Sequence, residues 1–194
     1  MPVPKNEEHA KANESDSIMQ KLLESRNLIL GQEINDEVTQ RMITQLLLLE
    51  AMDATKDIRL FINSPGGSAD GGFAIFDAIR FIKPPVKTIA VGLVASAATI
   101  VLIAAKKEHR FAFSHCRLLI HQPSTQLHGS AADIDITAQE ILKLRDKANQ
   151  LIAAETGQTV QKVATDTNRD YWMGPDEGKK YGLIHKIVRT RDEL

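Results

Sequence analysis

Residues 58–67 read Ile-Arg-Leu-Phe-Ile-Asn-Ser-Pro-Gly-Gly, a strand pattern that ends in a glycine turn. The β-branched and aromatic residues predict a strand over residues 58–62, and the polar run that follows predicts a turn. Residues 69–82 then carry large apolar side chains near helical spacing, and Pro84 and Pro85 end that helix. A strand, a turn and a helix in this order are typical of one unit of an α/β fold.

The same alternation extends along the chain in both directions. Strands joined by helices run parallel, so the sequence predicts an α/β domain with its functional loops at the carboxyl ends of the strands. Further strands are expected over residues 28–30, 86–91, 110–113, 117–121 and 183–188, and helices over 18–23, 37–50, 95–105, 133–155, 159–167 and 175–181.

Composition limits the classes of function. The chain has 194 residues, which suits one domain, and its 24 basic and 25 acidic residues leave a net charge of −1. Such a balance argues against nucleic acid or an anionic membrane as a partner. The single cysteine excludes an intramolecular disulfide and suits a reducing compartment.

Residues 1–17 are polar and charged, without the apolar run of a secretory signal or a membrane anchor. We expect this segment to be flexible, residues 18–194 to form one domain, and the protein to be cytoplasmic. The sequence has no glycine-rich lysine loop for ATP, so an energy-dependent step would require a partner.

Ser96 is the candidate nucleophile. It follows a predicted strand and begins an apolar helix, where free backbone N–H groups favour a developing oxyanion. By itself, a serine among alanines in a buried helix is more often a small packing residue. Gly66 and Gly67 have two interpretations as well: a tight turn, or amides that approach a substrate carbonyl closely because no Cβ intervenes.

His121 ends a predicted apolar strand and precedes Gln122 and Pro123, so its imidazole can face a cleft. An imidazole can take the proton of a serine and return it to a leaving amine. Asp170 could orient that imidazole, although a surface carboxylate paired with Arg169 is the simpler interpretation. Metal catalysis has little support, since the spacing of the histidines at positions 109, 115, 121 and 128 matches no recognised ligand set.

Four segments in order, residues 56–67, 92–97, 119–123 and 166–170, resemble the Clp protease proteolytic subunit family, and the likeness extends from residue 18 to 188. The resemblance implies a crotonase-like spiral of parallel strands with a long handle helix over residues 133–155. It also implies a catalytic triad of Ser96, His121 and Asp170 and an oxyanion hole formed by the amides of Gly67 and Ala97.

The resemblance further implies an assembly. Family members form a chamber from two seven-membered rings, supplied with unfolded protein by an AAA+ unfoldase, and they use no metal or cofactor. Phe61 and Phe81 correspond to positions at which the unfoldase docks.

Four residues, at three places in the chain, depart from the family pattern and leave alternatives open. Ala97-Ala98 stands where Met-Gly is usual, Asn168 where an acidic residue is common, and Arg59 where an aromatic residue is usual. These differences suggest a divergent paralogue in mixed rings with a second Clp subunit. A weakly active structural or regulatory subunit is the second interpretation, and an acyl-CoA enzyme on the same architecture is the third.

Overall fold

A seven-stranded sheet organises the molecule, and the computed structural model describes it within residues 18, 20–126 and 128–194. The strands β1, β2, β3, β4 and β7 lie side by side in that order and all run parallel. The seven strands are β1 Asn27–Leu30, β2 Ile58–Ser64, β3 Val86–Ala95, β4 Arg110–Phe113, β5 Arg117–Ile120, β6 Tyr171–Met173 and β7 Lys186–Val188.

Six α-helices alternate with most of these strands in the described part of the chain, so the predicted α/β class is confirmed. They are α1 Asp36–Met52, α2 Ala69–Phe81, α3 Ala97–Leu102, α4 Ala131–Thr156, α5 Val160–Asp166 and α6 Pro175–Tyr181. Residues 20–24 are also helical, and short 3-10 helices occupy Lys107–His109 and Arg191–Glu193.

The long strand β3 joins the two parts of the sheet. Its first half pairs with β4 and its second half pairs with β5, both in parallel register. The prediction that this strand ends at residue 91 is wrong. The strand continues to Ala95, because Gly92 marks a bulge and not a break. Gly92 has φ +58°, the register shifts beside it, and the Leu93 amide donates to Asn63 Oδ1 at 3.0 Å.

Other predicted boundaries are also corrected. The helix expected over residues 95–105 spans only Ala97–Leu102, because apolar composition alone cannot distinguish a helix from a buried turn. The final strand begins at Lys186 rather than at residue 183. β6 was not predicted; it pairs antiparallel with β5, so the expectation of parallel strands fails for this pair.

The long helix α4 is two residues longer at its start and one residue longer at its end than predicted. Its buried residues are Asn149, Ile152, Ala153 and Thr156, all near its C-terminal end. Ile136 and Leu142, nearer its start, are exposed to 61% and 49%. The helix therefore packs on the domain through its last turns and projects its first turns into solvent.

None of the helices formed by the described residues combines the length and the hydropathy that a membrane crossing needs. The expected flexibility of residues 1–17 lies outside the described residues.

Candidate active site

Ser96 occupies the turn between β3 and α3. Its backbone has φ +57° and ψ −126°, a conformation that residues with a Cβ rarely adopt. The Ser96 amide donates to the Leu119 carbonyl at 3.0 Å, and its own carbonyl accepts from the Thr99 amide at 2.9 Å. The buried Thr99 hydroxyl also donates to Leu119 O at 2.9 Å. These bonds hold the strained turn against β5.

His121 follows β5 directly, and its ring lies between Ser96 and Asp170. Its Nε2 is 2.9 Å from Ser96 Oγ, and its Nδ1 is 3.0 Å from Asp170 Oδ1. The imidazole is 28% exposed and the Asp170 carboxylate 61% exposed. The three side chains, predicted from separate segments of the sequence, thus form one hydrogen-bonded line. The simpler interpretation of the sequence was a surface pairing of Asp170 with Arg169. In the structure Asp170 pairs with His121 instead.

Gly66 and Gly67 lie beside the Ser96 turn. Both have positive φ, +96° and +132°, so a side chain would strain either position. The Gly66 amide donates to Ser64 Oγ at 3.1 Å, and the Gly66 carbonyl accepts from the Ile34 amide at 2.7 Å. Among the described residues the Gly67 amide has no hydrogen-bond acceptor. The Gly67 N–H therefore remains available to a ligand.

Ala97 provides a second amide near Ser96. It is the first residue of α3, where backbone N–H groups have no partner one turn earlier in the helix. Ala97, Gly67, Ser96 and His121 all line one cavity of about 490 Å³. We call this cavity the cleft.

The inner wall of the cleft is apolar. It is built by Phe73, Ile100, Ile141, Leu144, Ala148 and Ile152. Four of these residues come from α4, at intervals of three or four, so one stripe of that helix forms the wall. A role for these residues was not predicted from the sequence, although their helical spacing was a visible signal.

Cys116 takes no part in this site. It is buried, and burial raises the pKa of its thiol to about 11, which keeps it protonated and poorly nucleophilic at neutral pH. Within residues 18, 20–126 and 128–194, no three histidine, cysteine or carboxylate side chains are grouped so that they could hold a metal ion.

The two predicted docking residues lie apart. Phe61 lines a second cavity of about 370 Å³ together with Ile29, Phe113 and Arg59, and its ring meets Phe113 edge to face at 6.5 Å. Phe81 does not line this cavity, and its side chain is 77% exposed at the end of α2. The single chain therefore does not bring Phe61 and Phe81 into one pocket.

Two of the departures from the family pattern lie near the site. Ala98 is fully buried in α3, so its methyl group is accommodated without exposure. Asn168 lies opposite Gln122, whose Nε2 donates to the Asn168 carbonyl at 2.8 Å. Neither replacement breaks the line from Ser96 to Asp170.

Comparison with protein families gives a match over almost the whole chain. The family model described as Clp protease matches residues 10–191. The ATP-dependent Clp protease proteolytic subunit 2 of Treponema denticola is 52% identical over 188 residues, which cover 97% of this chain and 94% of that protein. The protein with the same name in Treponema pallidum is 47% identical and covers 96% of this chain and 93% of its own length.

Two further matches agree. The ATP-dependent Clp protease proteolytic subunit 1 of Bacillus cereus is 47% identical over 174 residues, which cover 90% of each chain. Among solved structures, an asparagine-to-aspartate mutant of ClpP1 from Listeria monocytogenes matches with a TM-score of 0.84 and 41% identity. It covers 90% of this chain and 98% of that chain.

Proposed function

Because the chain belongs to the Clp protease family and is therefore a serine peptidase, we propose that Ser96, His121 and Asp170 are its catalytic residues. The observation that carries the proposal is the pair of hydrogen bonds at His121, 2.9 Å to Ser96 Oγ and 3.0 Å to Asp170 Oδ1. A nucleophile within hydrogen-bond reach of a base, and a base oriented by a third group, is the arrangement that acyl transfer requires.

The proposed first step forms an acyl-enzyme. Ser96 Oγ attacks the peptide carbonyl carbon while His121 Nε2 takes the hydroxyl proton, and Asp170 stabilises the imidazolium that forms. The amides of Gly67 and Ala97 donate to the oxyanion of the tetrahedral intermediate. His121 then gives its proton to the leaving amine, the C–N bond breaks, and the acyl group remains on Ser96.

The second step repeats the proton transfers with water. His121 removes a proton from the attacking water, whose oxygen bonds to the acyl carbon, and the oxyanion is bound again at Gly67 and Ala97. His121 then returns the proton to Ser96 Oγ while the acyl C–O bond breaks, which releases the carboxylic acid product. No metal or cofactor has a role in either step. The amides must be held in place, and the hydrogen bonds that Ile34 forms with Gly66 and with Ser68, on either side of Gly67, support such rigidity.

We further propose that the substrates are unfolded proteins delivered by an AAA+ unfoldase. The relatives are named subunits of an ATP-dependent protease, whereas this sequence contains no ATP-binding loop. The apolar wall of the cleft supports this proposal, because it offers contact to one side chain of a substrate whose backbone lies at Ser96. The cavity beside Phe61 is the proposed docking position, and Phe81 would complete it from a neighbouring copy.

For the assembly we propose two stacked heptameric rings, formed by this chain alone or together with a second Clp subunit. The exposed apolar residues at the start of α4 support contact between copies, since Ile134, Ile136 and Leu142 are all more than one-third exposed. The relatives carry the subunit numbers 1 and 2 in their names, which supports testing both compositions. Native mass spectrometry of the purified chain, alone and with a co-expressed partner subunit, distinguishes them.

The catalytic assignment is tested by labelling with a fluorophosphonate probe. We expect the wild-type chain to bind one probe per subunit at Ser96, and Ser96→Ala to bind none while it keeps the same melting temperature. Peptide hydrolysis should disappear in the same variant. Labelling that persists in Ser96→Ala, or a folded wild-type assembly that never reacts, would exclude the proposed nucleophile.

A further inference from the structure

The Asp170 carboxylate is held by few contacts of its own. It is 61% exposed, and among the described residues its hydrogen-bond partner is His121 alone. An exposed carboxylate on a mobile segment would spend much of its time away from the imidazole. Its position must therefore come from the backbone on either side of it.

On one side that support is the β5–β6 ladder. Ile120, which precedes His121, pairs with Tyr171, which follows Asp170. This pairing sets the two backbones at the distance of neighbouring strands on the C-terminal side of Asp170. It does not restrain the residues before Asp170.

The other side is closed by Gln122. Its backbone amide donates to the Thr167 carbonyl at 2.6 Å, and its side-chain Nε2 donates to the Asn168 carbonyl at 2.8 Å. In the sequence, His121 lies between the bonded residues Ile120 and Gln122. Asp170 likewise lies between their partners, Tyr171 on one side and Asn168, two residues away, on the other. Bonds on both sides thus bracket the His121–Asp170 pair.

Thr167 is itself anchored in the core. It is 1% exposed, and its hydroxyl lies 2.9 Å from Asn149 Oδ1 of α4 and donates to the Val163 carbonyl at 2.8 Å. Asn149 is 4% exposed, in the last turns of α4 that pack on the domain. The preceding residue, Asp166, accepts from the Tyr181 hydroxyl at 2.9 Å, so α6 holds the same segment from another direction.

From this geometry we propose that Gln122 and Thr167 are positioning residues, which hold the His121 and Asp170 segments at hydrogen-bonding distance by linking the loop after β5 to α4. The inference rests on the proposed catalytic function of those two residues. Neither Gln122 nor Thr167 touches the reacting atoms. Their loss should therefore lower kcat through misplacement of the imidazole and leave substrate binding in the cleft almost unchanged.

The test measures kcat and KM of the purified full-length chain on a fluorogenic peptide, together with the rate of fluorophosphonate labelling. Thr167→Val removes the hydroxyl at nearly constant shape, Thr167→Ser restores it, and Gln122→Met removes the side-chain donor at a partly exposed position. Thr156→Val is the matched control. Thr156 is also a buried threonine whose hydroxyl donates to the carbonyl four residues earlier, but it has no bond to the Asp170 segment.

We expect kcat and the labelling rate to fall about 10- to 100-fold in Thr167→Val and Gln122→Met, with KM within about twofold of wild type. Thr167→Ser should recover most of the loss, and Thr156→Val should retain the wild-type kcat. If Thr167→Val does not fold, Gln122→Met carries the test. Full kcat in Gln122→Met, no recovery in Thr167→Ser, or an equal loss in Thr156→Val would overturn the inference.

Two outcomes distinguish the positioning role of Gln122 and Thr167 from the catalytic role of Ser96. If Ser96→Ala abolishes labelling while Gln122→Met keeps full kcat, the nucleophile stands and the positioning role falls. If wild-type labelling does not depend on Ser96, both proposals fall.

Discussion

The backbone of Gly66 passes so close to Ser96 that a Cβ built on Gly66 would lie 2.7 Å from the Cβ of Ser96 and 2.9 Å from the Ala97 amide nitrogen. Real atoms do not approach so closely, so the glycine turn after β2 and the serine turn after β3 can meet only if residue 66 has no side chain. The contact places the Gly67 amide beside the proposed nucleophile.

Gly66→Ala should therefore lose activity by about 100-fold or more, because the Ser96 turn must move to accept the methyl group. Peptide hydrolysis and probe labelling of the folded variant check this. Gly157→Ala is the matched control: Gly157 also has positive φ, +78°, but nothing lies within 4 Å of its added Cβ. The control should cost about 1 kcal/mol of stability and leave kcat unchanged. Equal activity in the two variants would contradict the proposed role of the contact.

Asp170→Asn should lower kcat about 10³- to 10⁴-fold with little change in KM, because asparagine cannot stabilise the imidazolium or hold the same tautomer. Steady-state kinetics on a peptide substrate measures the effect. Asp176→Asn removes an equal charge from α6, where the carboxylate makes no hydrogen bond to His121, and should behave as wild type. A kcat for Asp170→Asn within tenfold of wild type would argue against Asp170 as the orienting residue.

Cys116 should resist alkylation in the native chain. Burial raises the pKa of its thiol from 9.0 to about 11, so the reactive thiolate is scarce at pH 8 and increases only as the pH approaches 11. Iodoacetamide labelling followed by mass spectrometry should give little adduct at pH 8 in the native chain and complete reaction in denaturant. Peptide hydrolysis by the native chain should not change when iodoacetamide is added. Rapid inactivation at pH 8 would indicate a thiol with a role that we do not assign.

Glu155→Gln should destabilise the domain. Glu155 forms an ion pair with Arg110, which is 1% exposed and whose pKa is lowered by burial, and a second with Arg80 at 2.7 Å. Without the carboxylate the buried guanidinium loses its counter-charge, at a cost of about 3 kcal/mol. Denaturant unfolding measures the difference. Arg80→Gln breaks the more exposed pair and should cost about 1 kcal/mol or less, so a larger loss there would reverse the proposed order.

The apolar wall of the cleft should set substrate preference. Ala148→Phe fills the space between Leu144 and Ile152 and should raise KM about tenfold for peptides with a bulky apolar residue at the cleavage site. Gln150→Phe places the same ring on the exposed side of α4 and should not change KM. Kinetics with peptides that differ at this residue decides between them. An unchanged KM in Ala148→Phe would show that the apolar wall does not contact the substrate side chain.

The sequence was sufficient for the α/β class and for the elements whose patterns are local. Three such elements are the strand over residues 58–62, the helix after the glycine turn, and the long helix that stops before Gly157. They depend on periodicity and on residues that start or stop a helix, which are properties of neighbouring residues. Ser96 and His121 could be singled out as candidates for the same reason, since each lies at the end of a predicted strand. The local sequence of Asp170 favoured a surface carboxylate instead. The family resemblance then joined them.

Long-range contacts were beyond the reach of such patterns. Gly92 reads as a strand break, but β3 continues because Asn63 on the neighbouring strand bonds across the bulge. β6 has three residues, too few for a periodic signal, and exists because β5 offers it a partner. The Gln122–Thr167 bond, the 2.9 Å and 3.0 Å distances at His121 and the cleft wall from α4 join residues far apart in sequence. Their geometry follows from packing, in which each contact depends on where the whole sheet places its strand ends.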